Sequence, residues 1–220
     1  MMLVAIDPDL KQKCPRTALA CVTASVVTCP SSGELAGEFR ARERAIQQLP
    51  NPSSVLAEPQ IHAVREAYKA LGKDPARYRG SAEALLRRVV QGKGLPLINN
   101  VVDIINLVSV ESLLPLGLYD LERVREPIVL RPGRAGETYK GIGKYDLNLE
   151  GLPVFCDALG PFGSPTSDSE RTMVTAAAKK ILLVIISFGG RQDIERWTTR
   201  AMDLLTRYAA AGQLESQIAE

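Results

Sequence analysis

Between Leu95 and Glu111 the chain reads LPLINNVVDIINLVSVE. Val101, Val102, Ile104, Ile105, Leu107, Val108 and Val110 fall in pairs with one polar residue between them. That spacing fits a helix of about 3.6 residues per turn, not the alternation of a half-exposed strand. The pattern predicts a helix buried nearly all round. Asn99, Asp103 and Asn106, at steps of four and three, form a narrow polar stripe along it. Buried amides and carboxylates are costly without partners. The stripe therefore either ties neighbouring loops in place or faces a pocket where a ligand supplies those partners.

The rest of the chain alternates strand and helix signals. Val4 to Ile6 and Ala18 to Val27 are rich in small and β-branched residues and read as strands, the second bounded by Pro15 and by Cys29-Pro30. Ser31 to Leu49 reads as a helix capped by Ser32, with Leu35, Phe39 and Ile46 on its apolar face and Pro50 and Pro52 at its end. Two more helices follow, Glu58 to Leu71, stopped by Gly72, and Ser81 to Gln91, followed by Gly92 and Gly94. After the central helix, Gly117 to Tyr119 and Pro127 to Leu130 read as short strands, with Pro132-Gly133 as a turn. Glycines punctuate Tyr139 to Phe155, as in a hairpin leading into the strand Leu152 to Cys156. Lys180 to Phe188 is a buried strand, and Arg191 to Ala211 an amphipathic helix with Ile194, Trp197, Met202, Leu205 and Tyr208 available for packing. The apolar strand signals near both ends need pairing partners and have helices between them. The expectation is an α/β fold, a single three-layer domain over residues 1–220 with a mixed, largely antiparallel sheet and packed helices.

Length and composition agree with that picture. A chain of 220 residues with 45% hydrophobic and 24% charged residues buries a sizeable core. A net charge of +2 excludes nucleic-acid binding by bulk charge but leaves room for a local basic patch. The opening MMLVAIDPDL has acids by Asp9 and no long apolar core, so it does not read as a signal peptide. Ile181 to Phe188 is far shorter than the ~20 residues that cross a bilayer. A cytoplasmic protein without membrane contact is expected. Cys14, Cys21, Cys29 and Cys156 lack zinc spacing and read as buried thiols. His62 is the only histidine and falls in a predicted surface helix. No P-loop or dinucleotide fingerprint is present, so neither cofactor nor metal is expected.

Two polar segments carry candidate chemistry. The connector Lys73 to Gly80 sets Lys73, Arg77 and Arg79 beside Tyr78, with Arg87 and Arg88 on the next helix. It either contacts phosphates, with Tyr78 stacking on a base, or is a solvated loop whose arginines cover apolar surface. Gly160 to Thr172, GPFGSPTSDSERT, is dense in hydroxyls, and its Ser164, Thr166, Ser167, Asp168 and Ser169 either cap turns or line a polar site.

The sequence PLINNVVDIINLVSVESLLPLGLYDLE, Pro96 to Glu122, resembles the bacterial phenylalanyl-tRNA synthetase beta-subunit segment P-x-x-N-x-V-D-x-T-N-Y-V-x-x-E-x-G-Q-P-x-H-A-F-D. Ile128 to Thr172 resembles the later R-x-A-x-x-G-E and G-G-x-x-S-x-V-x-x-x-T pattern of the same subunit. Both segments belong to its B3/B4 module, the editing domain, which hydrolyses tyrosine wrongly attached to the phenylalanine tRNA. The resemblance implies that fold, a tRNA or aminoacyl-tRNA 3′ end as partner, no DNA, and a free-standing module without the synthetase's catalytic regions. Asn106 matches the asparagine of the family's Thr-Asn pair. Three pocket positions depart: Ile105 stands for the threonine, Gly117 for the histidine, and Ala176 for the glutamate of an L-E-S-A stretch.

Three functions remain open. The first is a deacylase acting in trans on mischarged tRNA, and the second a non-catalytic module holding an RNA end, an amino acid or a nucleotide in the same pocket. The third is an interaction protein whose polar stripe is purely structural. An aminoacyl ester is already activated, so its hydrolysis needs mainly a positioned water and oxyanion donors. The candidates are Asn106, Asp168 and Glu111 for catalysis, and Asn99, Asn106, Ser164, Thr166 and Ser167 for substrate. Lys73, Arg77, Tyr78 and Arg79 are the candidates for RNA. Asn106 and the Gly163 to Asp168 loop are expected to meet at one cleft.

Overall fold

The computed structural model describes residues 4–143, 146–192 and 194–220. The chain runs β1 (Val4–Ile6), α1 (Pro8–Lys13), β2 (Ala18–Ser25), α2 (Gly33–Gln47), α3 (Pro59–Ala70), α4 (Ser81–Val90), α5 (Asn100–Ser112) and β3 (Leu116–Asp120). It continues through β4 (Ile128–Pro132), β5 (Thr138–Lys140), β6 (Asp146–Asn148), β7 (Pro153–Asp157), β8 (Gly160–Gly163), β9 (Lys180–Ser187), α6 (Ile194–Ala209) and β10 (Gly212–Ala219). Short 3₁₀ turns lie at Pro52–Ala57, Leu121–Arg123 and Glu170–Thr172.

The α/β class and the largely antiparallel pairing stand, but the strands divide into two four-stranded sheets and a ribbon. The central sheet has the order β10-β2-β9-β3 and is antiparallel throughout. Its middle strands are apolar on both faces because both faces are covered. Ala18, Ala20, Val22, Ile181, Leu183 and Ile185 face a layer of α2, α4, α5 and α6, where Phe39, Leu86, Val108 and Leu204 are buried. Leu19, Cys21, Leu182, Val184 and Ile186 face the other way, toward Leu10, Tyr68, Leu130, Phe155 and Phe162. The second sheet, β1-β4-β7-β8, lies on that side, and among the described residues β1 pairs with β4 in parallel while the sheet's other neighbouring strands are antiparallel. The third layer is therefore mainly a sheet, joined by α1 and α3. Strands β5 and β6 form the ribbon within Tyr139 to Phe155, and the part of that hairpin at residues 144 and 145 lies outside the described residues.

Several local expectations are corrected. The central helix starts at Asn100, not Leu95. Pro96 disfavours the helical conformation before it, and Asn99 stays extended as the cap, accepting from the Val102 amide at 2.9 Å. The turn expected at Pro132-Gly133 lies further on, because β4 includes Pro132 and Gly133 bridges to Glu150. Gly160 to Thr172 is not all loop, since β8 opens it. Cys29 is exposed, while the other three thiols are buried. Helix α1 is an addition to the predicted elements, with Asp7 and Pro8 forming its N-terminal signal. Strand β10 is a second addition: its alternation is weak, and it sits at a sheet edge with a bulge between Gly212 and Glu215.

Candidate functional site

The polar stripe of α5 serves the helix end. Asp103 is buried and accepts from Ser31 Oγ at 2.5 Å and the Ile98 amide at 2.9 Å, pinning the two segments that precede α2 and α5. Burial raises its pKa above the usual carboxylate range even with those donors. The neighbouring Asn100, which the spacing did not single out, is the more engaged residue. Its Nδ2 donates to the carbonyls of Val27 and Tyr208, both at 2.8 Å, and its Oδ1 accepts from the Cys29 amide at 2.9 Å. It thus joins the ends of β2 and α6. Asn106 is half-buried in the helix layer. Glu111 is locked by Arg200, which donates to both its oxygens at 3.0 Å and also to Glu38 at 2.9 Å.

The hydroxyl-rich loop lies beside β3, the edge strand of the central sheet, and against the start of α4, and no hydrogen bond joins it to Asn106 among the described residues. Three buried tyrosines organise the space there. The Tyr139 hydroxyl donates to the Ser167 carbonyl at 2.5 Å and lies 3.0 Å from Ser164 Oγ, while the Tyr68 hydroxyl lies 2.8 Å from Thr166 Oγ1. Ser81 N donates to the Pro165 carbonyl at 2.6 Å, and Leu118 N donates to Asp168 Oδ2 at 3.2 Å. Tyr119 fills the centre, its ring edge-on to Phe162 at 4.8 Å between centroids and to Phe155 at 5.9 Å. Burial, and next the charge of Asp168, push its phenol pKa well up. A Cβ on Gly117 or on Gly163 would collide with the Tyr119 hydroxyl. Ser164, Thr166, Ser167 and Asp168 are thus bound to the protein itself, and glycine at Gly117 and Gly163 is required by the ring between them.

The basic connector is also partly structural. Lys73 is buried and donates to the carbonyls of Glu150 at 2.5 Å and Asn148 at 3.3 Å, with its ammonium 4.1 Å above the Tyr78 ring. Arg77 lies 5.7 Å from the centroid of the same ring and is exposed, as is Arg79. Only these two arginines of the four connector candidates are free to meet a phosphate.

A different region is open. A groove of about 950 Å³ runs between the loop after α1, one face of α3 and the end of β9. Its walls include Lys13 and Arg16 on one side, Gln60, His62, Ala63 and Glu66 of α3, and Ser187, Phe188, Gln192 and Trp197 beyond the sheet end. His62 Nε2 lies 3.6 Å from Glu66 Oε1, and Lys69 pairs with the same carboxylate at 2.8 Å. Ser187 Oγ donates to the Gly190 carbonyl at 2.7 Å, which folds the Phe188-Gly189-Gly190 turn into the groove floor. Gly190 takes a φ of +106°, and the Arg16 guanidinium lies over it. Nothing in the sequence joined these segments, since Lys13, His62 and Trp197 are far apart along the chain, the first two look like ordinary surface and Trp197 reads as a packing residue of its helix. Among the described residues, no group of three His, Cys, Asp or Glu side chains is placed to hold a metal.

The model of the B3/4 domain matches residues 63–211, more than half of the chain. The chain belongs to the B3/4 domain family. Across 72 residues it is 39% identical to the phenylalanine–tRNA ligase beta subunit of Rhodopirellula baltica, a stretch that covers 31% of this chain and 11% of that protein. Its fold is similar to the crystal structure of an N-terminal fragment of the phenylalanyl-tRNA synthetase beta subunit from Pyrococcus horikoshii. The TM-score is 0.51 at 14% identity, over 99% of this chain and 50% of that fragment. The matched stretch thus spans about a tenth of the ligase subunit, and the structural match half of the solved fragment. At the positions where the resemblance places pocket side chains, Ile105 is packed in the core and Gly117 is backed by Tyr119, while Ala176 is exposed in the connection before β9. The residue paired with Gly117 across the sheet is Val184, and β9 contains no carboxylate. Among the described residues, no helix is long and apolar enough to cross a membrane.

Proposed function

We propose that this B3/4 domain receives the aminoacylated 3′ end of a tRNA and hydrolyses the ester in trans, with the open groove as the site. Family membership supports the substrate class. The observation that carries the location is the contrast between a filled cluster at Tyr119 and a groove of about 950 Å³, at the upper end of the roughly 300–1,000 Å³ of small-molecule sites. The groove brings together cations for a phosphate, aromatic rings for a base, and the His62–Glu66 pair, which is exposed and can hold a water near a bound ester. Ester hydrolysis from an activated acyl group asks for little more than that water in place and donors for the oxyanion.

The test is a deacylation assay over a panel of mischarged tRNAs against buffer and heat-inactivated protein, run from mildly acid to neutral pH. Release of one or more amino acids above both controls is the expected result. Loss of the activity in His62→Ala or in Glu66→Gln, with the fold intact, assigns the water to that side chain. A second reading is a binding module that holds the same RNA end without cleaving it. It is favoured by the apolar or absent side chains at Ile105, Gly117 and Ala176. Intact esters throughout the panel, with the RNA bound, would establish that reading instead.

A further inference from the structure

We infer that the groove holds the nucleotides of the RNA end through Trp197 as a stacking surface and through Lys13 and Arg16 as phosphate contacts, so that this wall, and not the Lys73 to Arg79 connector, fixes the RNA. The inference rests on the proposed function for its ligand class and adds the side chains that recognise it.

Three observations carry it. First, Lys13 and Arg16 are exposed on adjacent turns of one wall, and no carboxylate pairs with either among the described residues. Most other arginines near folded surface are engaged: Arg65 and Arg87 by Glu83, Arg131 by Glu137, Arg171 by Asp157, Arg200 by Glu111. A free guanidinium over the small floor residue Gly190 can approach a phosphate bidentately. Glu66 opposes an anion least at the Lys69 side, where its charge is already paired. Second, Trp197 is half-buried, lines the groove, and carries the Arg196 guanidinium 4.6 Å from its ring centroid. An indole fixed in that way is a ready platform for a base, whatever the base identity. Third, Gln60 lines the same groove, and its amide oxygen has no hydrogen-bond partner among the described residues. The connector offers less, since Lys73 is tied to two backbone carbonyls.

Trp197 is the sole tryptophan, so its emission reports stacking directly. The full chain is titrated with an RNA hairpin carrying a single-stranded 3′ CCA overhang, and with the same hairpin cut blunt, at several salt concentrations. The overhang should quench the emission and the blunt hairpin should not. Arg16→Glu and Lys13→Glu, both at exposed positions, should each weaken binding by about tenfold and lower the salt slope by about one. Trp197→Ala should weaken it by a similar factor. Arg77→Glu and Arg79→Glu should leave it within twofold. Binding of the overhang with unchanged emission and with Arg16→Glu at full affinity overturns this inference while leaving the proposed function in place. Failure of the unaltered protein to bind the overhang by anisotropy, with deacylation also absent, overturns both.

Discussion

The cluster around Tyr119 and the groove beside α3 contain similar chemistry in opposite states. Both mix aromatic rings, hydroxyls and charged groups. In the cluster, hydroxyls and backbone groups of the 164–168 loop bond to Tyr68, Tyr139, Ser81 and Leu118, and the central ring excludes everything else. In the groove, Lys13 and Arg16 have no paired carboxylate among the described residues and the space is open. Polar density therefore does not locate a site. The useful sign is polar groups that the protein leaves available, because a buried group without a partner is costly and a fold normally satisfies its own.

The largest expected effect comes from emptying the cluster. Tyr119→Ala removes a fully buried ring and its two edge-on contacts and should cost about 3–5 kcal/mol in urea unfolding. A loss under about 1 kcal/mol would mean that the ring is not the centre of packing there. Glu83 comes next. It is buried and accepts from Arg65 at 2.7 and 2.9 Å and from Arg87 at 2.8 Å. Burial pushes its pKa up, but the two guanidiniums hold it below the ordinary carboxylate range. A carboxyl with a lowered folded pKa stabilises fully above its unfolded value of about 4.3 and loses that stabilisation as pH falls through the folded value. Glu83→Gln should therefore lower Tm at neutral pH and flatten the fall in Tm below about pH 4.3. An unaltered acid slope would show that other carboxylates, such as Asp157 beside Arg171, carry it.

These same groups show what the sequence could and could not reveal. Strands β2 and β9 were legible because eight-residue apolar runs flanked by turn formers permit little else, and α5 because its paired apolar residues fix the period. That β2 and β9 alternate their side chains between a helix layer and a second sheet was not legible, since a strand covered on both faces reads as one continuous apolar run. Within the stripe of Asn99, Asp103 and Asn106, Asn99 caps its own helix and Asp103 binds the nearby Ile98 amide, while its other partner, Ser31, lies 72 residues away and could not be read from spacing. The motif resemblance pointed to the right fold and to positions now filled by Tyr119. The groove stayed hidden because it exists only where α1, α3, β9 and α6 meet.

Smaller effects sharpen the contrast further. Tyr139→Phe removes the bond to the Ser167 carbonyl and should cost about 1–2 kcal/mol, with Ser164 Oγ, 3.0 Å from that carbonyl, partly replacing it. Glu111→Gln breaks the two-pronged contact with Arg200, a half-exposed pair, and should cost at most about 1 kcal/mol while leaving deacylation unchanged. A large drop in hydrolysis there, with the fold intact, would return Glu111 to the site. Arg16→Glu should sit at the end of the series, within about 0.5 kcal/mol of the unaltered protein in urea unfolding, because the side chain is exposed and unpaired.

The central claim, that the ligand of this B3/4 domain enters the groove and not the Tyr119 cluster, is tested most directly by mapping backbone amide chemical shifts while the protein is titrated with the CCA-overhang hairpin. The account expects the perturbed amides to concentrate in residues 13–16, 59–70 and 187–192, with residues 117–119 and 163–168 unmoved. Perturbations centred on Gly117, Tyr119 and the Gly163 to Asp168 loop, with the α3 face silent, would contradict it.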